Sequence, residues 1–141
     1  MGLKLKYTQP IHLDDVAADF PRLTIIACHP SWPWQSEMIA ILLHKSNVFM
    51  ETSGWSPKYF PPELKWEIAG RLQDKVMFGS DYPSMPYARI LKEWQELGYS
   101  DAQIDAIAAL LDLVERGVGH AILPRVAIHD RPAGNAIRAT R

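Results

Sequence analysis

Apolar positions along the chain fall into two alternating kinds of stretch. Three short, nearly unbroken runs have strand length: "LTIIAC" (residues 23–28), "NVFMET" (47–52) and "KVMFGS" (75–80). Between and after them, apolar residues recur at helical spacing. In "IHLDDVAADFP", Leu13, Val16, Ala17 and Phe20 share one side, and Pro21 stops the helix. In "QSEMIAILLHK", Met38, Ile41 and Leu42 line one face. "PPELKWEIAGRL" opens with prolines at its first turn, where the missing N–H is harmless. "YARILKEWQELG" places Ile90, Leu91, Trp94 and Leu97 together, with Gly98 as its C-terminal cap. "SDAQIDAIAALLDLVERG" follows, with Ser100 as N-cap and Gly117 as terminator.

Strands alternating with helices predict an α/β fold with a parallel sheet and crossover helices. Unbroken apolar strands are expected where both sheet faces are covered. In such sheets functional groups gather at the carboxyl ends of the strands. His29, the segment from Thr52 to Trp55, and Asp81 all stand at such ends. Residues 1–115 therefore form the predicted folded unit. The pattern weakens from Arg116, so 116–141 is expected to be a partly disordered or loosely docked tail.

Composition narrows the function classes. A chain of 141 residues, 48% hydrophobic, can build one real core but hardly two. The formal charge of −1 provides no single-sign field, so neither nucleic acid nor an anionic membrane is an expected partner. No apolar stretch approaches the ~20 residues of a membrane span, and the first ten residues lack the core of a signal peptide. The lone cysteine, Cys28, excludes an internal disulfide framework and fits a cytoplasmic setting. By strand alternation it points away from His29 and into the core.

The strand ends carry chemistry. Histidine offers a neutral imidazole to a divalent metal or works as a base near neutral pH. Aspartate beside a metal stays charged and can accept a proton from water. Gly79 allows a tight backbone path ahead of Asp81, while Pro30 and Pro83 stiffen the outgoing loops. Plainer readings stay open at this point. His29 can be a hydrogen-bonded structural residue, "GSD" an ordinary turn, and Trp32, Trp34 and Trp55 packing residues. His12, His44, His120 and His129 read as surface or helix-end residues.

Taken jointly, "DDVAADFPRLTIIACHPSWPWQSE", "NVFMETSGWSPKYFPPEL" and "DKVMFGSDYP" resemble the C-terminal portion of the amidohydrolase-related family, over about residues 3 to 107. This is the group of metal-dependent hydrolases and decarboxylases typified by aminocarboxymuconate-semialdehyde decarboxylase. The resemblance implies a partial (β/α)8 TIM barrel, about three βα units, with strands six to eight. It implies that His29 is the strand-six acid or base, in some members also a metal ligand. Asp81 becomes the strand-eight metal ligand that orients or deprotonates a water. Trp32, Trp34, Trp55 and Tyr82 would line an apolar pocket for a small carbonyl substrate, an aromatic acid or a thioester. The implied cofactor is a divalent metal, zinc foremost. The family's His-x-His pair on strand one and its further histidine on strand five have no counterpart here. The chain alone is therefore expected to bind metal weakly or not at all and to turn over little. Hydrolysis is the first expectation, nonoxidative decarboxylation the second.

A rival of another class is a non-catalytic assembly unit. An open barrel leaves strand edges unpaired, and these invite homo-oligomers. A nucleotide-binding domain ranks last, because no glycine-rich phosphate loop follows any strand.

Overall fold

The computed structural model describes residues 4–105 and residue 107. The helix expected to end at Gly117 lies largely outside these residues, and the tail expected at 116–141 lies wholly outside them.

A short 3-10 turn (Leu5–Thr8) leads into α1 (His12–Asp19), β1 (Ile25–Cys28), α2 (Gln35–His44) and β2 (Val48–Glu51). A second 3-10 turn (Pro57–Tyr59) precedes α3 (Pro62–Ala69), β3 (Val76–Met77) and α4 (Tyr87–Glu96). Residues 101–105 are helical again. The strands form one parallel sheet in the order β1-β2-β3. This is the α/β architecture of part of a TIM barrel.

Local chemistry explains the boundaries. Pro62 occupies the first turn of α3, where it leaves no donor unsatisfied. Gly98 takes φ +81 just past α4, the left-handed conformation that closes a helix at least cost when no Cβ is present. Ser100 and Gln103 form a reciprocal capping box. Ser100 N–H donates to Gln103 Oε1 at 2.9 Å, and Gln103 N–H donates to Ser100 Oγ at 3.3 Å.

Register explains the core. Ala27 pairs with Met50 and Met50 with Val76; one residue on, Cys28 pairs with Glu51 and Glu51 with Met77. Parallel partners share a face. Ile25, Ala27, Val48, Met50 and Val76 therefore point to one side, where they join Leu42, Leu64, Ile68, Ile90 and Trp94 in the core cluster. Burying each large side chain there contributes roughly 1.5–3 kcal/mol.

Ile26, Phe49 and Glu51 point to the other side and stay outside that cluster. Two expectations need correction here. The sheet is not covered equally on both faces among the described residues: β1 is half-buried to exposed along its length, and β2 alternates. Cys28 is exposed rather than core; it ends β1, the strand with a partner on one side only among the described residues. In α1, only Ala17 is buried and Leu13 partly so, while Val16 and Phe20 are exposed.

One polar side chain fastens the first unit to the second. Asn47, immediately before β2, turns its amide back to the carbonyls of Ala17, Phe20 and Leu23, at 3.2, 3.2 and 2.9 Å. These acceptors close α1 and the approach to β1. Asn47→Ala should lower stability by roughly 1–2 kcal/mol, because it removes the hydrogen bonds that join these three carbonyls to the start of β2. Urea unfolding measures this as a lower midpoint at unchanged slope.

Candidate functional site

The sheet ends in a single row, Cys28–Glu51–Met77. Beyond it, each strand releases one loop, and each loop carries a residue with positive φ: Ser31 (57°), Gly54 (73°) and Asp81 (62°). For serine the left-handed region costs of order 1–2 kcal/mol, and aspartate tolerates it better. Such conformations cluster where geometry serves function.

His29 follows β1 directly, across a cis peptide with Cys28. Its side chain is 45% exposed. Nδ1 lies 2.9 Å from Ser53 Oγ and 3.8 Å from Glu51 Oε2. The Ser53 hydroxyl donates to Glu51 Oε2 at 2.5 Å, and Ser53 N–H donates to Glu51 Oε1 at 2.7 Å. Gly54 packs against the imidazole so closely that a Cβ there would sit 3.3 Å from the ring. Partial burial of the sulfur, together with the Glu51 charge and a hydrogen bond to Glu51, raises the Cys28 thiol to about 11. The thiol is thus protonated at neutral pH.

Gly79 has a different reason for being glycine than a tight turn. A Cβ there would fall 1.2 Å from Glu51 Oε1 and 2.9 Å from Ser53 Cβ. The Glu51 carboxylate occupies the space that any side chain at 79 would need. It thereby ties the end of β3 to the end of β2, and through Ser53 to His29 at the end of β1.

Asp81 stands four residues past β3 on the same edge of the sheet, and it is exposed. Its carboxylate makes no hydrogen bond or ion pair among the described residues. His29 and Asp81 make none with each other. No group of three histidine, cysteine, aspartate or glutamate side chains among the described residues is arranged to hold a metal ion.

The aromatic residues divide. Trp32 and Trp55 stack with centroids 6.4 Å apart at 28°, joining the loops after β1 and β2. Trp32 is 62% exposed. Trp34 is half-buried at the start of α2, and its N–H donates to the Ser31 carbonyl at 2.6 Å. Tyr82 is 56% exposed. Neither of these two joins the tryptophan pair in an aromatic contact.

The loop carrying Trp55 is anchored from below. Ser56 is buried and its hydroxyl donates to Glu93 Oε2 on α4. Arg89 Nε donates to Glu93 Oε1 at 2.9 Å, and Lys58 Nζ approaches within 4.0 Å. Burial opposes ionisation of Glu93. The hydrogen bonds from Ser56 and Arg89 and the charges of Arg89 and Lys58 outweigh it and hold the carboxyl below its ordinary value.

Sequence reading located His29, the segment from Thr52 to Trp55 and Asp81 at strand ends, but did not single out Ser53 and missed Glu51 and Glu93. Glu51 had a usable signal. It is a charge at the end of an apolar run, as His29 and Asp81 are, and period-two alternation sets it on the face of Phe49 rather than of Met50.

Against known proteins, the family model described as Amidohydrolase matches residues 1–110. The chain belongs to the amidohydrolase family. No curated protein matches it, and no solved structure does. Membership places the rim of three strand ends in a hydrolase family whose fold is a TIM barrel. Among the described residues no helix is long and apolar enough to cross a membrane.

Because the Glu93 carboxyl is depressed in the folded state, its contribution is present above the ordinary carboxylate range and fades as pH falls through the lower folded value. Acid titration of stability should show that loss. Glu93→Gln should flatten it and cost stability at neutral pH, since a buried array built for a charge then holds an amide.

Proposed function

We propose that this chain supplies the strand-six to strand-eight rim of a metal-dependent hydrolase acting on small carbonyl substrates. The observation that carries the proposal is the common sheet edge. His29 and Asp81 leave the carboxyl ends of β1 and β3, and the Glu51 carboxylate lies between them.

The donor types suit a zinc-like ion: one imidazole nitrogen and one carboxylate oxygen. Their number is two, short of the three that a catalytic zinc takes from protein. The remaining ligands would come from elements outside these three βα units. A bound divalent ion would polarise a carbonyl and acidify water.

The chain's own residues would do the rest. Asp81, exposed and without a partner among the described residues, would ligate the ion and accept a proton from water. His29 would serve as a further ligand or as a base through its outer ring nitrogen. Trp32 and Trp55 would form an apolar wall suited to an aromatic acid or thioester, with Tyr82 at its margin and Trp34 beneath. Nonoxidative decarboxylation would use the same groups.

Titration with zinc at the high concentrations a weak two-ligand site requires, read by calorimetry, tests the proposal. Asp81→Ala and His29→Ala should each weaken binding by tenfold or more, an effect on the order of those known for metal-site residues. Affinity unchanged in Asp81→Ala would remove the basis of the proposal.

A second reading, self-association, is favoured by one observation. The outer edge of β1 has no strand partner among the described residues, and Leu5, Tyr7, Ile11, Phe20 and Leu23 are exposed. Light scattering on the eluting protein should then report a dimer or larger species. A monomer at all concentrations would dismiss that reading.

A further inference from the structure

We propose that Ser53 and Glu51 are positioning residues that hold neutral His29 in its Nδ1–H tautomer, so that Nε2 reaches the rim as a bare nitrogen. This deepens the reading of His29 as a site residue and rests on it for its functional meaning.

The inference is a matter of counting protons. Ser53 Oγ has two partners, Glu51 Oε2 at 2.5 Å and His29 Nδ1 at 2.9 Å. A hydroxyl carries one hydrogen. An ionised carboxylate can only accept, so the Ser53 hydrogen goes to Glu51. The second contact must then run the other way, with Nδ1–H donating to Ser53 Oγ. In the neutral ring the other nitrogen is left with a lone pair.

The surroundings of Glu51 support its part as acceptor. Ser53 N–H also donates to it, at 2.7 Å. Gly79 leaves the carboxylate the room it occupies. Nε2 itself makes no hydrogen bond among the described residues, and the side chain is 45% exposed.

The chemical consequence is specific. Neutral His29 can ligate a cation or accept a proton at Nε2, and it cannot donate one from there. Its first act in a reaction is as base or ligand, and it becomes an acid only after taking a proton. A solvated imidazole prefers the opposite tautomer, Nε2–H, so a merely surface-exposed histidine would look different.

Long-range proton–nitrogen correlation spectra of the full chain, labelled with nitrogen-15 and recorded where the imidazole is neutral, read the tautomer directly. His29→Gln assigns the signals. The expected result is a pyridine-type Nε2 and a protonated Nδ1. Ser53→Ala should lose the Nδ1–H form as the major species, and Ser53→Thr, which keeps a hydroxyl, should retain it. Glu51→Gln should invert the ratio, because the amide can donate to Ser53 and release the hydroxyl hydrogen toward Nδ1. Gly79→Ala, which displaces the carboxylate without touching the ring, should shift the ratio in the same direction.

A dominant Nε2–H form in the unmodified chain overturns the proposal, even if no variant folds. So does a ratio indifferent to both Ser53→Ala and Glu51→Gln in folded protein. The measurement uses no metal. A failed zinc titration with the tautomer intact would count against the hydrolase reading alone, and the reverse result against the relay alone.

Discussion

A carboxylate wedged between strand ends organises the functional edge of this chain. Glu51 closes the central strand, and its side chain rests against the backbone of Gly79 and accepts hydrogen bonds from Ser53. A partly buried charge of this kind is costly unless donors surround it. Here they come from the loop that leaves the same strand, with the Cys28 thiol on one flank and the imidazole beyond Ser53. The charge thereby fixes how the first and second loops depart from the sheet and how closely the third can approach. Without it, the strand ends would still be joined by the Trp32–Trp55 stack and by the Thr52 hydroxyl on the Met77 carbonyl, but Ser53 would lose the acceptor that orients it toward His29.

The supporting structure is asymmetric, and that asymmetry follows from register. Val48, Met50 and Thr52 face the helical layer and are buried, while Phe49, Glu51 and Ser53 face the other way and are only partly covered. Stability comes from the helical side, through Leu42, Leu64, Ile68, Ile90 and Trp94. The proposed site residues lie on the opposite face and at the rim. The two are joined by Ser56 and Glu93, which fasten the loop of Trp55 to α4. A carboxylate with its guanidinium on the same helix and a hydroxyl from the loop makes that fastening charge-assisted and directional.

Much of the element order was readable because the periodicities are clean. Proline and glycine marked the boundaries, and Ser100 announced a helix start. Residues placed by strand-end position, His29 and Asp81, needed only the rule that parallel sheets present their chemistry at carboxyl ends. What escaped reading were interactions set by neighbours far along the chain. Asn47 reaches carbonyls 24 to 30 residues away. Glu93 meets Ser56 across 37 residues. Trp32 finds Trp55 only because two loops leave adjacent strands. Cys28 misled because alternation predicts two faces but does not say which is covered. The runs look equally apolar on both sides, since Ile26, Phe49 and Met77 are themselves apolar.

The two carboxylates of the rim are placed for opposite work. Glu51 accepts two hydrogen bonds from Ser53 and is held against Gly79, so it is already engaged within the chain. Asp81 has the same charge and the same sheet edge, yet it is exposed, with no side-chain partner among the described residues. It also keeps a left-handed backbone at φ 62. Aspartate, like asparagine, tolerates that conformation better than most residues. Its charge has no side-chain counter-ion among the described residues. A cation at the rim would supply one. The division between a committed carboxylate and a free one is what the proposed ligand role of Asp81 rests on.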